Sequence, residues 1–245
     1  MRVGLLGCGN LGRIIVENSK KFGVEIVSLY DKEFSKAVEL SKICGKPCKS
    51  FEDFIKGEFD FVIEAASAEA VREYGKKILD GRKNLVILST AALIDEDLLK
   101  KLRRKAKEVG KKIYIPSGAI VGLDGLSVLK FFESKIKLIT RKNPKALGRN
   151  LGLIFKGFVK DAVKKFPRNL NVAATLSLAT GKDVEVEVFA ENLERNIHEI
   201  LAKWEFGEIY VRVENVPSKN VKSSHLAALS VLSLLRNLEE EVVVW

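Results

Sequence analysis

Glutamine is absent from the 245 residues, and the chain has only two histidines, one methionine, three cysteines and five prolines. Each scarcity excludes something. Cys8, Cys44 and Cys48 all lie in the first fifth of the chain, and an odd, clustered set in a chain of this size is not a disulfide framework. Cys44 and Cys48 have no histidine nearby, so they make a poor metal site. No metal is expected, and the thiols read as reduced. No uncharged apolar run approaches the ~18 residues that a membrane span needs. The apolar start, Met1 to Leu6, is too short for a secretory signal and is interrupted by Gly7, Gly9 and Asn10. The expectation is a cytoplasmic protein with no membrane partner.

Hydrophobic residues make up 47% of the chain and the few prolines are scattered, which excludes disorder. A chain of this mass buries about 70% of its unfolded surface, enough for one large or two small domains. Lys and Arg number 42 against 32 Asp and Glu, giving a formal charge of +10. The one dense basic run, Lys100 to Lys112, interleaves with Leu98, Leu99, Leu102, Ala106 and Val109 at helical spacing and follows Asp95, Glu96 and Asp97. Acid at the start and base toward the end suit a helix dipole, so the run reads as a solvated helix face and no nucleic-acid partner is expected. Abundant Lys and Glu without Gln suggest a thermophilic source.

The first half alternates short apolar runs with helical patterns. Strands are expected at 2–6, 25–30, 59–65, 84–88 and 112–115, and helices at 11–22, 35–43, 68–80 and 95–109. Strands apolar on both faces, separated by helices, indicate a parallel sheet covered on both sides. From about residue 118 the character changes. A helical stretch at 126–133 leads to strands at 135–140 and 151–157, then helices at 159–166 and 171–179. Residues 184–190 and 208–213 alternate strictly, as half-buried antiparallel strands do. The last segment, 223–238, reads as an apolar helix. The expected fold class is α/β: a Rossmann-type doubly wound domain at 1–117, then a smaller α+β substrate and dimerisation domain at 118–222. A C-terminal helix and tail at 223–245 have the option of returning to the first domain.

Gly7-Cys8-Gly9-Asn10-Leu11-Gly12 fits G-x-G-x-x-G, with a strand before it, a helix starting inside it and an acid, Asp31, closing the next strand 19 residues after Gly12. The first glycine permits the tight turn, the second lets backbone approach a pyrophosphate, and the third allows helix and strand to pack closely. The helix N-terminus then offers free N–H groups to the phosphates. Pattern and context together indicate a nicotinamide dinucleotide held by Gly7, Gly9, Asn10, Leu11, Gly12 and Asp31. A carboxylate at Asp31 favours NAD by repelling a 2′-phosphate, while Lys32 beside it leaves NADP open. Ligands of such sheets sit outside the carboxyl ends of the strands. Three small-residue segments fall there: Glu64-Ala65-Ala66-Ser67, Ser89-Thr90-Ala91-Ala92 and Pro116-Ser117-Gly118-Ala119. Ala65, Ala66, Ser67, Ser89 and Thr90 are therefore candidate cofactor contacts.

Of the two histidines, His198 follows the polar stretch 191–197 after a strand, and His225 opens the last helix. His198 is the candidate acid/base. A thiolate-dependent aldehyde dehydrogenase is excluded, because no cysteine follows Cys48.

Ser117-Gly118-Ala119-Ile120, Gly122-Leu123-Asp124 and Thr140-Arg141-Lys142-Asn143 resemble the L-aspartate dehydrogenase family. So do the segments Phe166 to Thr175, Asn196-Ile197-His198-Glu199-Ile200 and Glu205-Phe206-Gly207-Glu208. The resemblance runs from Gly4 to the last helix. It implies NAD(P)-dependent oxidative deamination of L-aspartate to iminoaspartate, or the reverse reaction from oxaloacetate and ammonia, feeding NAD biosynthesis in some organisms. It also implies a homodimer, a catalytic role for His198, and cofactor contacts at Ala119 and Asn171. Val121 stands where the family often has glycine, and His225 where it has tyrosine. Arg141 and Lys142 are candidates by charge for the substrate carboxylates, and equally suit strand-end surface positions. Two alternatives stay open: another two-domain reductase, of the dihydrodipicolinate-reductase or sugar-dehydrogenase kind, and a dinucleotide sensor without catalysis.

Overall fold

The computed structural model describes residues 1–166, 170–217 and 224–243. The chain divides into two units, one formed by Met1–Pro116 with Ala228–Trp245 and the other by Ser117–Ala227. No helix among the described residues is long and apolar enough to cross a membrane.

The first unit is built on six parallel strands: β1 (Arg2–Leu6), β2 (Glu25–Tyr30), β3 (Lys46–Pro47), β4 (Phe61–Glu64), β5 (Asn84–Ile87) and β6 (Ile113–Tyr114). Their order, β3-β2-β1-β4-β5-β6, reverses direction between β1 and β4, which is the doubly wound arrangement with its ligand crevice at the reversal. β4 is buried along its whole length, as a central parallel strand covered on both faces must be. Helices α1 (Asn10–Asn18), α2 (Phe34–Ser41), α3 (Phe51–Ile55), α4 (Ala68–Asp80) and α5 (Glu96–Val109) make the crossovers. Ser50, Ser67 and Asp95 cap α3, α4 and α5 by accepting from N–H groups of the first turn. The dense basic run lies on α5, where Leu102 and Ala106 face inward and Gly110 closes the helix at φ 65°.

The expected helix at 11–22 is two pieces, because α1 tightens into a 3-10 turn at Ser19–Phe22. The two-residue β3 and the five-residue α3 fall in a stretch read from sequence as irregular. Both are too short to carry a period. The last helix, α10 (His225–Asn237), buries Ala228, Val231, Leu232 and Leu235 in the same core as Val3, Leu5, Ile15, Ile26 and Leu29.

The second unit has a five-stranded sheet made of β7 (Ser134–Lys142), β8 (Gly152–Phe158), β9 (Glu185–Ala190), β10 (Asn196–Trp204) and β11 (Gly207–Asn215), in the order β11-β10-β7-β9-β8. The sheet is mixed. β9 runs parallel to β7 and antiparallel to β8, whereas its alternation was read as that of an antiparallel strand. Helices α6 (Leu123–Ser127), α7 (Pro144–Leu147), α8 (Val159–Lys165) and α9 (Asn171–Thr180) complete the unit. Strand β10 is the main departure from the sequence reading. It spans nine residues, and it begins inside the stretch read as polar, 191–197.

A Cβ at Gly12 would run into the carbonyl oxygen of Gly7, whereas a Cβ at Gly9 would meet nothing within 4 Å. Gly12→Ala is therefore expected to destabilise the protein by ~1–3 kcal/mol or more, as overpacking does. Gly9→Ala should stay within ~0.5 kcal/mol of the parent. Urea unfolding of the two variants checks the contrast, and equal losses would refute it.

Candidate active site

At the carboxyl end of β1 the chain turns through Gly7 at φ 103°, a left-handed conformation that a side chain resists. Gly7 donates its N–H to the carbonyl of Tyr30 at 2.8 Å. A Cβ on it would lie 2.7 Å from backbone atoms of Ala65 and Ala66, so the turns after β1 and β4 touch. Helix α1 then starts with Gly9 as its N-cap, with no side-chain cap and no acid in its first turn. Its positive end is left for an anion. Asn10 and Leu11 are half-buried in that first turn.

Asp31 follows the last residue of β2. One carboxylate oxygen accepts from Cys8 N–H at 2.8 Å and the other from Glu33 N–H at 2.9 Å, which fixes the group and leaves further lone pairs open. The neighbouring cations are engaged. Lys32 pairs with Glu73 at 2.8 Å, and Lys36 pairs with Glu33 at 2.6 Å. Burial, and secondarily the Asp31 charge, push the Cys8 thiol up to about 12, so it stays protonated. All three cysteines are free.

The turns after β4 and β5 share one buried anchor that sequence reasoning passed over as a site residue. Glu64 ends β4 with 1% exposure. Its carboxylate accepts from Ala66 N–H at 2.8 Å, Ser89 N–H at 3.0 Å and the Ser89 hydroxyl at 2.9 Å. Burial raises its pKa, and these donors oppose the shift. An acid closing an otherwise apolar strand was the available signal. Ser67 caps α4, the Ala65 N–H bonds the Leu6 carbonyl at 2.8 Å, and Thr90 opens a 3-10 turn. The structure thus brings Gly7, Gly9, Asn10, Leu11, Gly12, Asp31, Ala65, Ala66, Ser67, Ser89 and Thr90 to the carboxyl ends of four adjacent strands, β2, β1, β4 and β5.

In the second unit, His198 is the third residue of β10 and pairs in register with Thr140 of β7. It lies within a strand, correcting the sequence reading of a polar stretch after one. The imidazole is 3% exposed, and its Nδ1 lies 3.0 Å from the Thr140 hydroxyl. Burial pushes its pKa down to about 3, and the Lys142 ammonium adds to the shift. Ala119 is buried in the loop before α6, and its carbonyl accepts from the Asn215 side chain at 2.8 Å. Asn171 is the first residue of α9. Of the motif from Phe166 to Thr175, residues 167–169 lie outside the described residues.

Arg141 and Lys142 separate sharply. Arg141 is paired with Glu191 and Glu199, and its guanidinium stacks over the Phe189 ring at 4.7 Å. Lys142 points to the opposite face, 5% exposed, with no carboxylate within 4 Å and no hydrogen-bond partner among the described residues. Burial lowers its pKa to about 8.

A family model described as aspartate dehydrogenase, C-terminal, matches residues 124–238, and one described as homoserine dehydrogenase, NAD binding domain, matches residues 7–116. An L-aspartate dehydrogenase of Methanospirillum hungatei is 47% identical across 100% of this chain and 99% of its own length. One from Archaeoglobus fulgidus is 44% identical across the whole of both. The chain belongs to the L-aspartate dehydrogenase family. The crystal structure of aspartate dehydrogenase from Thermotoga maritima superposes with a TM-score of 0.81 at 32% identity, covering 100% of this chain and 99% of that one. A homoserine dehydrogenase from Thiobacillus denitrificans, at 14% identity and a TM-score of 0.63, shares the fold.

The depressed His198 pKa makes a prediction about acid stability. The folded state resists protonating this group while the unfolded chain takes a proton near 6.5. Its contribution is therefore complete above pH 6.5 and is lost on acidification toward about 3. The slope from one such proton is ~1.4 kcal/mol per pH unit. Urea unfolding between pH 4 and 7 is expected to show a shallower acid slope for His198→Gln than for the parent, and matching slopes would refute the assignment.

Proposed function

We propose that this chain catalyses the NAD-dependent oxidative deamination of L-aspartate to iminoaspartate, and the reverse amination of oxaloacetate by ammonia, with His198 as the acid/base. The observation that carries this reading is a buried imidazole held through Nδ1 by Thr140, in a chain 47% identical over its length to an L-aspartate dehydrogenase. A neighbour of the sugar-dehydrogenase kind, the myo-inositol dehydrogenase of Lactobacillus casei, shares the fold at only 12% identity, and a sensor has no use for a buried, oriented histidine.

The residues present fit a dinucleotide. The space left at Gly9 and the uncapped start of α1 would take the pyrophosphate, with Gly7 and Gly12 shaping the turn beneath it. The Asp31 carboxylate, already oriented by two N–H groups, would accept the ribose hydroxyls. Ala65, Ala66, Ser67, Ser89 and Thr90 would line the remainder, and the family resemblance adds Ala119 and Asn171. The Lys32 ammonium is held by Glu73, which leaves Asp31 to discriminate against a 2′-phosphate, so NADP is expected to be the poorer cofactor. When bound, the nicotinamide supplies a hydride acceptor for the substrate Cα.

The chain's own part is proton handling. The substrate ammonium must lose a proton before Cα gives up hydride, and water attacking the resulting imine must lose another. His198 is neutral at pH 7. In the tautomer whose Nδ1–H donates to the Thr140 hydroxyl, Nε2 keeps the lone pair that accepts these protons. A substrate with two carboxylates brings negative charge that favours the imidazolium and opposes the effect of burial.

The family resemblance also suggests a homodimer. The five-stranded sheet supports it, because Ile139, Phe189 and Leu201 lie only part-buried on the face opposite His198. Light scattering is expected to give twice 27.3 kDa, and a monomer would overturn that part. Three unpaired thiols accord with a cytoplasmic location.

The main test follows absorbance at 340 nm with L-aspartate, L-glutamate or L-alanine and either NAD or NADP. Aspartate alone should reduce cofactor, and His198→Ala should lower kcat by ~10²–10⁴-fold. Cofactor binding without turnover of aspartate, or of oxaloacetate with ammonia, would overturn the function. A fully active His198→Ala would overturn only the role of His198.

A further inference from the structure

Lys142 is the last residue of β7, two positions after Thr140, so its side chain shares the face that carries Thr140 and His198. It is 5% exposed. Among the described residues no carboxylate lies within the 4 Å of an ion pair and no hydrogen-bond acceptor meets the ammonium. The adjacent Arg141, on the other face, has two carboxylates and an aromatic ring.

Next to Lys142 stands a second polar group in the same condition. The antiparallel register that pairs Ile197 with Arg141 brings Asn196 alongside Lys142. Asn196 is 3% exposed, and its side-chain amide has no hydrogen-bond partner among the described residues. Asn196 pairs with Asn215 of β11, whose Nδ2 donates to the Ala119 carbonyl. On its other side, Lys142 pairs in register with Ala190, a small residue that leaves room.

A buried ammonium without a counter-charge is strongly unfavourable, and protein interiors normally pair such a group. Here a cation and an amide, both on residues with little exposure and neither with an ion pair or side-chain hydrogen bond among the described residues, adjoin the proposed proton acceptor on one sheet face. We propose that Lys142 binds a carboxylate of the four-carbon substrate, with the Asn196 amide as a second donor. The amine-bearing carbon then lies beside His198. The proposal rests on the reading of the chain as an aspartate dehydrogenase and extends it to the residue that selects an anionic substrate. It divides two cations that the sequence could not distinguish: Arg141 braces the sheet, and Lys142 meets the substrate.

The test compares the parent with Lys142→Met and Lys142→Gln. Three quantities are read: KM for L-aspartate, the dissociation constant of succinate by calorimetry, and that of NAD by fluorescence titration. Both variants should raise KM and the succinate constant together by at least ~30-fold, the scale of losing one partner of a buried charge pair. The NAD constant should stay within about twofold. Lys142→Met should also melt at a higher temperature than the parent, because it removes a buried unpaired charge. Succinate binding and KM within threefold of the parent would overturn the proposal.

The succinate titration needs no turnover. A parent that binds succinate through Lys142 yet fails to oxidise aspartate refutes the function and leaves the anion site standing. A parent that turns over aspartate while both variants keep their KM does the reverse. Should neither variant fold, acetylation of the parent read by mass spectrometry decides. Succinate should protect Lys142 relative to the other lysines, and equal labelling with and without it would overturn the proposal.

Discussion

Removing ionisable groups from water is the constraint around which both units are arranged, and the two solve it differently. In the first unit Glu64 is fully enclosed, yet its carboxylate accepts from two backbone N–H groups and a hydroxyl on the turns after β4 and β5. The donors oppose the effect of burial without cancelling it, and one side chain fixes two neighbouring turns at the reversal of strand order. In the second unit His198 meets the constraint by staying neutral, with Thr140 holding one ring nitrogen. Lys142 has no such escape, since burial lowers its pKa only to about 8 and it keeps much of its charge at neutral pH with no ion pair among the described residues. One unit surrounds its buried acid with its own donors, and the other leaves a cation with no ion pair among the described residues.

The doubly wound half was legible because its signals are redundant. Central parallel strands are apolar on both faces, their helices repeat at 3.6 residues, and caps such as Ser67 and Asp95 mark where the helices begin. The strand, turn and helix around the glycine motif were legible for the same reason, since each constrains the others. β3 and α3 escaped because two and five residues cannot display a period. The 3-10 tightening at Ser19 to Phe22 escaped because it keeps the helical pattern while changing its hydrogen bonds.

Strand β10 was hidden by the chemistry it carries. A half-buried strand announces itself by apolar residues at every second position. On β10 the inward positions begin Asn196, His198, Ile200, Ala202, and the outward ones include Ile197 and Leu201, so neither set is cleanly apolar. The break in pattern falls on residues of the proposed site. Local rules fail where buried polar groups are retained against the preference of the core. His198 itself was identifiable, because with only two histidines in the chain the choice is narrow. Its partner Thr140 was not, because a separation of 58 residues becomes a contact only through the pairing of β7 with β10.

The pair Arg141-Lys142 shows what a sequence withholds even when it narrows the candidates to two. Adjacent cations at a strand end have equal claims on an anionic substrate by charge. In an extended strand, successive side chains face opposite ways, so at most one of the two can share the face of His198. Which one is a matter of parity, and parity depends on where β7 pairs. Thr140 opposite His198 sets it: even-numbered positions turn inward, and Lys142 goes with them. Arg141 then faces Glu191, Glu199 and Phe189, where a planar guanidinium can pair and stack at once. A slip of one residue would exchange the faces of the two cations and put Arg141 on the face of His198. The register of two antiparallel strands thus decides which cation braces the fold and which is left without a counter-charge.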